Sequence, residues 1–235
     1  PPMPPGNVAV TVINDDLQEA TLAAGSSDVN YIVGPVTQIT TTTPTESESE
    51  SVLATSPVVT PKDSQGYTNT LYSGNILASI YEGPLGLASA GATGGTLSGD
   101  TTVAADNGSA TFGNLIITGK VGNYKLKFYT STGQYARTPT VNTSNFWLHS
   151  APASKIVITT APTTATNGVN FSVVVQGQDG QDNLDLLYFN GKSISLSLPA
   201  GSGELVGTTT ATTSGGQATF SVNIKGLIGS NTYRL

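Results

Sequence analysis

Apolar and polar residues alternate singly along most of this chain. The stretch 7–16 reads NVAVTVINDD, where Val8, Val10 and Val12 alternate with Ala9, Thr11 and Ile13. That period of two is the signature of a strand, and Asn14-Asp15-Asp16 ends it. Residues 17–35 read as a connection with one short strand at Asn30–Val33, closed by Gly34-Pro35. Beyond them, short runs rich in Val, Ile, Thr and Tyr are separated by Gly, Asn and Asp, the punctuation of a sandwich. Nothing sustains a 3.6-residue period, and Thr, Val, Gly and Asn are poor helix formers. The pattern predicts an all-β protein. Its sharpest local signal is a hairpin: Thr101–Asp106 and Ser109–Ile117 flank Asn107-Gly108, a pair suited to a type I′ turn.

The pattern also repeats. GTLSGDTTVAADNGSATF at 95–112 returns as GELVGTTTATTSGGQATF at 203–220. KDSQGYTNTLY at 62–72 lies over QDGQDNLDLLY at 178–188, pairing Asp63 with Asp179, Gln65 with Gln181 and Tyr72 with Tyr188. Upstream, Ile39–Pro44 matches Val157–Pro162; downstream, Gly122–Leu126 matches Gly229–Leu235 with a loop two residues longer. The order is the same throughout, so a whole unit is duplicated. The predicted organisation is a linker and extended strand at 1–35, a first copy at 36–150 and a second at 151–235. The second copy stops inside its late strand and is expected to be C-terminally incomplete. Phe112 and Phe220 are expected in the cores. Tyr124 and Tyr233 are expected in late strands, with each hydroxyl bonded to a loop backbone.

Composition narrows the function. The chain has no Cys, so neither disulfides nor thiol chemistry are available. Only 10% of its 235 residues are charged, well under the ~25% usual in a soluble domain. A neutral polar surface of Thr, Ser, Gly and Asn suits an extracellular protein. The net charge of −6, with nine thinly spread basic residues, argues against nucleic acid and anionic lipid as partners. No apolar run approaches the ~20 residues of a membrane span, so direct membrane insertion is not expected. The start, PPMPPGN, is proline-rich linker without the features of a signal peptide.

Several motifs together resemble a family. They are Thr-Thr-x-Pro at 41–44, Lys62-Asp63-x-x-Gly66, Tyr72-Ser73-Gly74, Gly94–Val103 (GGTLSGDTTV), Asn107–Phe112 and Gly122-x-Tyr124-x-Leu126. This set is similar to the bacterial immunoglobulin-like repeats of very large cell-surface proteins, and most similar to giant adhesins of gliding bacteria exported by the type 9 secretion system. Residues 36–130 match well. Residues 154–235 match less closely, since Asp182 replaces the glycine of Gly66 and Tyr188-Phe189-Asn190 replaces Tyr-Ser-Gly. VAVTVINDD also resembles the last strand of a Calx-β module. The resemblance implies tandem immunoglobulin-like β-sandwiches with an N-terminal extended strand. It implies a cell-surface adhesin, with no catalytic residues to carry over.

The residues themselves offer little catalytic chemistry. A Ser-His-Asp site needs an ordered His backed by a carboxylate. The single His149 lies in NFWLHSAP beside Trp147, where junction packing is expected. Asp63, Asp179, Asp182 and Asp185 fall in turn sequences, where such acids bond their own backbone. No enzyme is expected. Calcium is the cation to consider, because hard ions need clustered carboxylate and carbonyl oxygens. Asp15 and Asp16 are the first candidate ligands, at a presumed junction; Asp179, Asp182 and Asp185 form a second group. The calcium EF-hand spacing is absent. Glu46, Glu48 and Glu50 alternate with serines, which predicts an exposed edge or loop that discourages edge-to-edge pairing. Tyr129, Tyr135 and Trp147 are the candidates for contact with sugar, Tyr129 and Tyr135 straddling an STGQ turn.

The expected function is a stalk and multivalent attachment surface on a bacterial cell, touching polysaccharide or another cell-surface ligand. Two alternatives stand beside it. One is a self-associating filament subunit in which Val8–Ile13 completes a neighbour's open second copy. The other is an accessory carbohydrate-binding module of a secreted enzyme.

Overall fold

The computed structural model describes backbone at 6–8, 11–13, 19–21 and 29–31, and residues 33–90, 92–131, 139–199 and 203–226 in full. The N-terminal backbone forms two local pairs. Strand β1 (Gly6–Val8) runs antiparallel to β4 (Val29–Tyr31), and β2 (Thr11–Ile13) to β3 (Glu19–Thr21). The single strand expected across 8–13 is therefore two short ones, and the strand expected at Asn30–Val33 sits at Val29–Tyr31.

The first copy is a two-layer sandwich. One layer holds β5 (Gln38–Thr41), β7 (Val58–Lys62) and β12 (Ala110–Thr111), in the order β12-β7-β5. The other layer is built on β8 (Asn75–Gly83) and β14 (Gly122–Thr130). Beside β8 lie β9 (Gly86–Leu87) and β11 (Thr102–Ala104), and the 3₁₀ turn Ala88–Ala90 follows β9. Beside β14 lie β15 (Thr140–Asn142) and β16 (Phe146–His149). The short edge strand β6 (Ser47–Glu48) runs parallel to β16. A ribbon of β10 (Gly95–Ser98) and β13 (Ile116–Gly119) completes the unit.

Strict alternation builds the core. Along β14, Tyr124, Leu126 and Phe128 are fully buried, while Lys125, Lys127 and Tyr129 face outward. They meet Ile76, Val59 and Leu148 from the surrounding strands. Phe112, as expected, is fully buried, its ring centroid 4.9 Å from that of Phe128.

The turn at Asn107-Gly108 has both central residues at positive φ, 46° and 82°, as a type I′ turn requires. It is nonetheless not a hairpin. Beyond the single Asp106–Ser109 bridge its arms part: β11 joins β8 in one layer and β12 joins β7 in the other. The sequence signal is a turn signal, and the apolar residues on each arm are claimed by different sheets. Gly215-Gly216 repeats the geometry at φ 57° and 74°.

The second copy forms a sheet in the order β17 (Lys155–Thr160), β18 (Phe171–Gln178), β22 (Gln217–Lys225), β20 (Glu204–Gly207). A pair of β19 (Ser193–Ser195) and β21 (Thr210–Thr212) lies across from it. Val173, Val175, Ala218, Phe220 and Val222 are its buried core. Leu97 pairs with Ile117 in the first copy and Leu205 with Ile224 in the second. The constant offset seen through Phe112 and Phe220 thus slips by one residue just afterwards. Gly113-Asn114 stands where the second copy has Ser221 alone.

Tyr124 ties the corner of the first copy. Its ring is fully buried and its hydroxyl lies 3.1 Å from the Gly94 carbonyl and 3.0 Å from that of Lys120. The backbone closes round it so tightly that a Cβ on Gly95 or Gly119 would come 2.7 or 2.6 Å from the hydroxyl oxygen. The expected bond from Tyr124 to a loop backbone is therefore present, whereas Tyr233 lies outside the described residues. Burial pushes the Tyr124 hydroxyl up to about 12. The folded state disfavours tyrosinate, so this contribution to stability is complete below the ordinary value of 10.0 and is lost as pH rises towards 12. Tyr124→Phe leaves both carbonyls without this donor and should cost about 1–3 kcal/mol in urea unfolding. It should also flatten the alkaline fall in stability; an unchanged alkaline limb would show that Tyr124 does not cause it.

Candidate functional site at the junction of the two copies

The second copy reaches the first through one turn. Asp179 follows β18, and its Oδ1 accepts the backbone N–H groups of Gln181 and Asn183, both at 2.9 Å. Its Oδ2 accepts Ala151 N at 3.1 Å and the Asn183 side-chain amide at 2.9 Å. A buried carboxylate satisfied in this way fixes the loop around it. Asp182 takes φ 59°, which lets the chain reverse, and its carboxylate pairs with Lys155. That hydrogen bond, then the lysine's charge, holds the Asp182 carboxyl below its usual range. Asp185 closes the segment, accepting Leu187 N at 3.0 Å, Tyr188 N at 2.7 Å and Ala153 N at 2.7 Å.

So held, Asn183 is aimed at the first copy. Its Nδ2 donates to the Gly119 carbonyl at 2.8 Å, and its Oδ1 accepts Val121 N at 3.0 Å. One buried amide thus reads a donor and an acceptor on the corner between β13 and β14. Lys120 donates to the Gln181 carbonyl, and Gln181 Nε2 lies 3.5 Å from Glu50 Oε1. Glu48 lies close to the Tyr188 hydroxyl, and hydrogen bonding to its carboxylate, then its charge, raises the Tyr188 pKa.

The Ser-Glu alternation is part of the same corner. Ser47 and Ser49 point inward and are buried; Ser49 Oγ donates to the Gly119 carbonyl at 3.3 Å and accepts Gly119 N at 3.1 Å. Glu46 and Glu50 are exposed, as an edge predicts, whereas Glu48 is half-buried with its Oε1 buried and unpartnered, and each has a different neighbour. Glu46 meets His149 at 3.1 Å, Glu48 meets Tyr188 and Glu50 meets Gln181.

The first copy carries the same turn at the opposite end of its sandwich sequence. Asp63 Oδ1 accepts Gln65 N and Tyr67 N, both at 2.9 Å, and Oδ2 accepts Gly34 N at 3.3 Å. Gly66 takes φ 88° in the place of Asp182. Asn69 stands for Asp185, accepting Leu71 N at 3.0 Å and donating to the Gly34 carbonyl at 2.8 Å. In each copy, then, a turn after β7 or β18 clamps the residue before an early proline, Gly34-Pro35 or Ala151-Pro152.

The expected site residues are scattered. Asp15, Asp16 and Tyr135 lie outside the described residues. Tyr129 is half-buried on the outer face of β14 with Lys127 Nζ 5.9 Å from its ring centre. Trp147 is exposed on β16, opposite Asn123. Six strand positions separate Asn123 from Tyr129, about 20 Å at ~3.3 Å per residue. The two aromatics share one sheet face without forming one contact. A groove of about 420 Å³ beside β8 is lined by Ala78, Ser79, Ile80, Thr93, Leu97, Thr101 and small neighbours, which offer no acid or base. The carboxylates of Asp179 and Asp185 are engaged by backbone N–H groups, as turn acids are. Among the described residues no cluster of three His, Cys, Asp or Glu has the geometry of a metal site.

Asn183 aligns with Tyr67 and so looks like divergence between the copies. The signal available was the matched Asp63/Asp179 and Gln65/Gln181 around it.

No protein-family model matches the chain, and no curated protein matches it. Solved structures similar to it include FdeC, an adhesin of Escherichia coli, at 17% identity and TM-score 0.42, covering 94% of this chain and 66% of that one. Surface layer protein SbsC, domains 1–6, aligns at 15% identity and TM-score 0.31, covering 95% of this chain and 26% of that one. A β-glucuronidase of Parabacteroides merdae aligns at 10% identity and TM-score 0.22, covering 76% and 20%. The chain spans less than two thirds of the adhesin structure and about a quarter of the surface-layer one. Likeness at this level assigns no function.

Two outcomes follow from the turn. Burial opposes ionisation of Asp63, but N–H groups of Tyr67, Gly34, Gln65 and Gly66 outweigh it and hold the carboxyl below its ordinary 3.8. The unfolded chain then binds this proton more readily, so stability present above about that pH is lost as pH falls through the folded value. Asp63→Asn should make the acid limb of a thermal-melt series shallower. Asn183→Ala strands the Val121 N–H, at a cost of about 1–3 kcal/mol, and leaves the Gly119 carbonyl with Ser49 Oγ alone; hydrogen exchange at Val121 should accelerate while core amides such as Leu126 stay protected.

Proposed function

We propose that this chain is a stretch of a secreted bacterial cell-surface adhesin or fibre. Its modules at 36–150 and 151–235 act as rigid links that project and repeat an attachment surface. The observation that carries this reading is the Asn183 clamp on Gly119 and Val121. Two modules joined only by a linker move independently. A buried amide satisfied on both sides resists bending and transmits force along the chain. The resemblance to adhesins of gliding bacteria supports the finer reading that such force arises in gliding motility after export by the type 9 system.

The attachment face we favour is the outer surface of β14, β15 and β16. It presents Tyr129, Trp147, Asn123 and Asn142, with Lys125 neutralised by Glu82 at 2.8 Å and Lys127 held over the Tyr129 ring. Aromatic faces and amides are suited to sugar rings and hydroxyls. Separated single contacts give low affinity per module, and many modules in series multiply it through effective concentration. The partner class is therefore polysaccharide or another neutral surface glycan, and catalysis plays no part.

Beads coated densely with the chain should be held on polysaccharide-coated glass under flow, and sparsely coated beads should not. Tyr129→Ala with Trp147→Ala should lower retention without changing the melting temperature. Equal retention at every coating density, or none on any polysaccharide, would sink the multivalent reading.

A further inference from the structure

Strand β8 has β14 along one side and two short partners along the other. β11 pairs with Asn75, Ile76 and Leu77, and the Thr101 carbonyl extends that contact by accepting the Ala78 N–H at 2.8 Å. β9 pairs with Glu82 and Gly83 at the far end. Among the described residues no strand pairs with 79–81 on this side. β10 runs nearby but is bonded to β13, and the chain turns away at Gly99, φ 85°. The opening is the groove of about 420 Å³ walled by Ala88, Ala92, Thr93, Gly95, Leu97 and Thr101. The ladder fixes which way the Ile80 backbone points. Ile80 stands opposite Leu126. Leu126 directs its N–H to Thr143 Oγ1 at 3.0 Å, and its C=O accepts Thr143 N at 2.9 Å, both away from β8. Ile80 and Leu126 are therefore a non-hydrogen-bonded pair, and the N–H and C=O of Ile80 face the groove. The Ala78 N–H, two residues earlier, points to the same side. Ile80 is only 8% exposed, and a buried backbone donor and acceptor call for partners.

We infer that this opening binds a short extended peptide segment of a partner protein, with small uncharged side chains. The chemistry selects that class of ligand. A donor and an acceptor on one strand residue are matched by the C=O and N–H of one residue in an added antiparallel strand. That central residue puts its side chain on the same face as Ile80, towards Leu97, where a small apolar group fits. No residue lining the groove is charged, so a charged side chain gains nothing there. The lining also has no aromatic ring on which a sugar could stack, which favours peptide over glycan. Thr101 at one end and Leu87 at the other limit the added segment to the span of 79–81. The site lies on the edge of β8 away from β14, so it is separate from the proposed glycan face and does not depend on it.

The test titrates the isotope-labelled 235-residue chain with the peptide acetyl-Ala-Val-Ala-amide and follows backbone amides by NMR. The Ile80 amide should shift, and its hydrogen exchange should slow, with a dissociation constant on the order of 1 mM. Two comparisons decide the matter. N-methylation of the central valine removes the donor to the Ile80 carbonyl and should weaken binding at least about tenfold. Ala92→Trp, at an exposed wall position, fills the opening and should abolish the shift, while unchanged amides in the second copy, such as Val175, show that the variant is folded. Equal binding of both peptides, binding retained in Ala92→Trp, or no shift at Ile80 up to about 20 mM peptide overturns the inference. A neutral polysaccharide such as dextran that shifts Ile80 where the peptide does not assigns the groove to sugar and overturns it as well.

Discussion

A buried aspartate that accepts the N–H groups of its own turn is the constraint on which this architecture depends. Asp179 does four things with two oxygens: it bonds Gln181, Asn183 and Ala151 through the backbone and Asn183 again through its amide. Burying a charge is unfavourable unless hydrogen bonds replace its water. Here the replacement groups come from both the loop and the incoming chain, so satisfying the charge also fixes where the copy begins. The same carboxylate orients Asn183, and Asn183 orients the whole second sandwich on the first.

The receiving corner is equally determined. Tyr124 draws the Gly94 and Lys120 carbonyls toward its hydroxyl, and Ser49 bonds both backbone groups of Gly119. These contacts hold Gly119 and Val121 in place for Asn183. Small residues are required because the tyrosine ring fills the space where side chains on Gly95 and Gly119 would go. The glycines shared by the two copies therefore mark close packing as well as turns. The junction unites backbone groups, whose positions are set by the fold, with two side chains that only need to be polar and of the right length.

Much of this was legible in the chain. Alternation along 122–130 identifies which residues of β14 enter the core, since a strand must bury every second side chain. Asn107-Gly108 and Gly215-Gly216 announce turns with positive φ. The aspartates at 63, 179 and 185 announce backbone-bonding turns. The Asn-Gly signal misled on one point, because a turn sequence constrains four residues and cannot dictate which sheet each arm joins. The glutamates at 46 and 50 were legible as outward-facing, whereas the half-burial of Glu48 was not. The individual neighbours of Glu46, Glu48 and Glu50 were not, because His149, Tyr188 and Gln181 lie 103 to 140 residues away in sequence and carry no local trace.

The sequence by itself determined an all-β class, a motif order that recurs along the chain, a core built on Phe112, Tyr124 and Phe220, and a composition poor in charge. These follow from local chemistry: period, propensity and turn preference act over a few residues. Tertiary structure alone decided that the turn at 179–183 is an inter-copy clamp and that Asn183, which matches nothing in the first copy, is its central residue. It also decided that Tyr129 and Trp147 share a face without touching. Those outcomes depend on how distant backbone corners meet, and hydrogen-bond geometry across such a meeting is set by packing rather than by any neighbour in the chain.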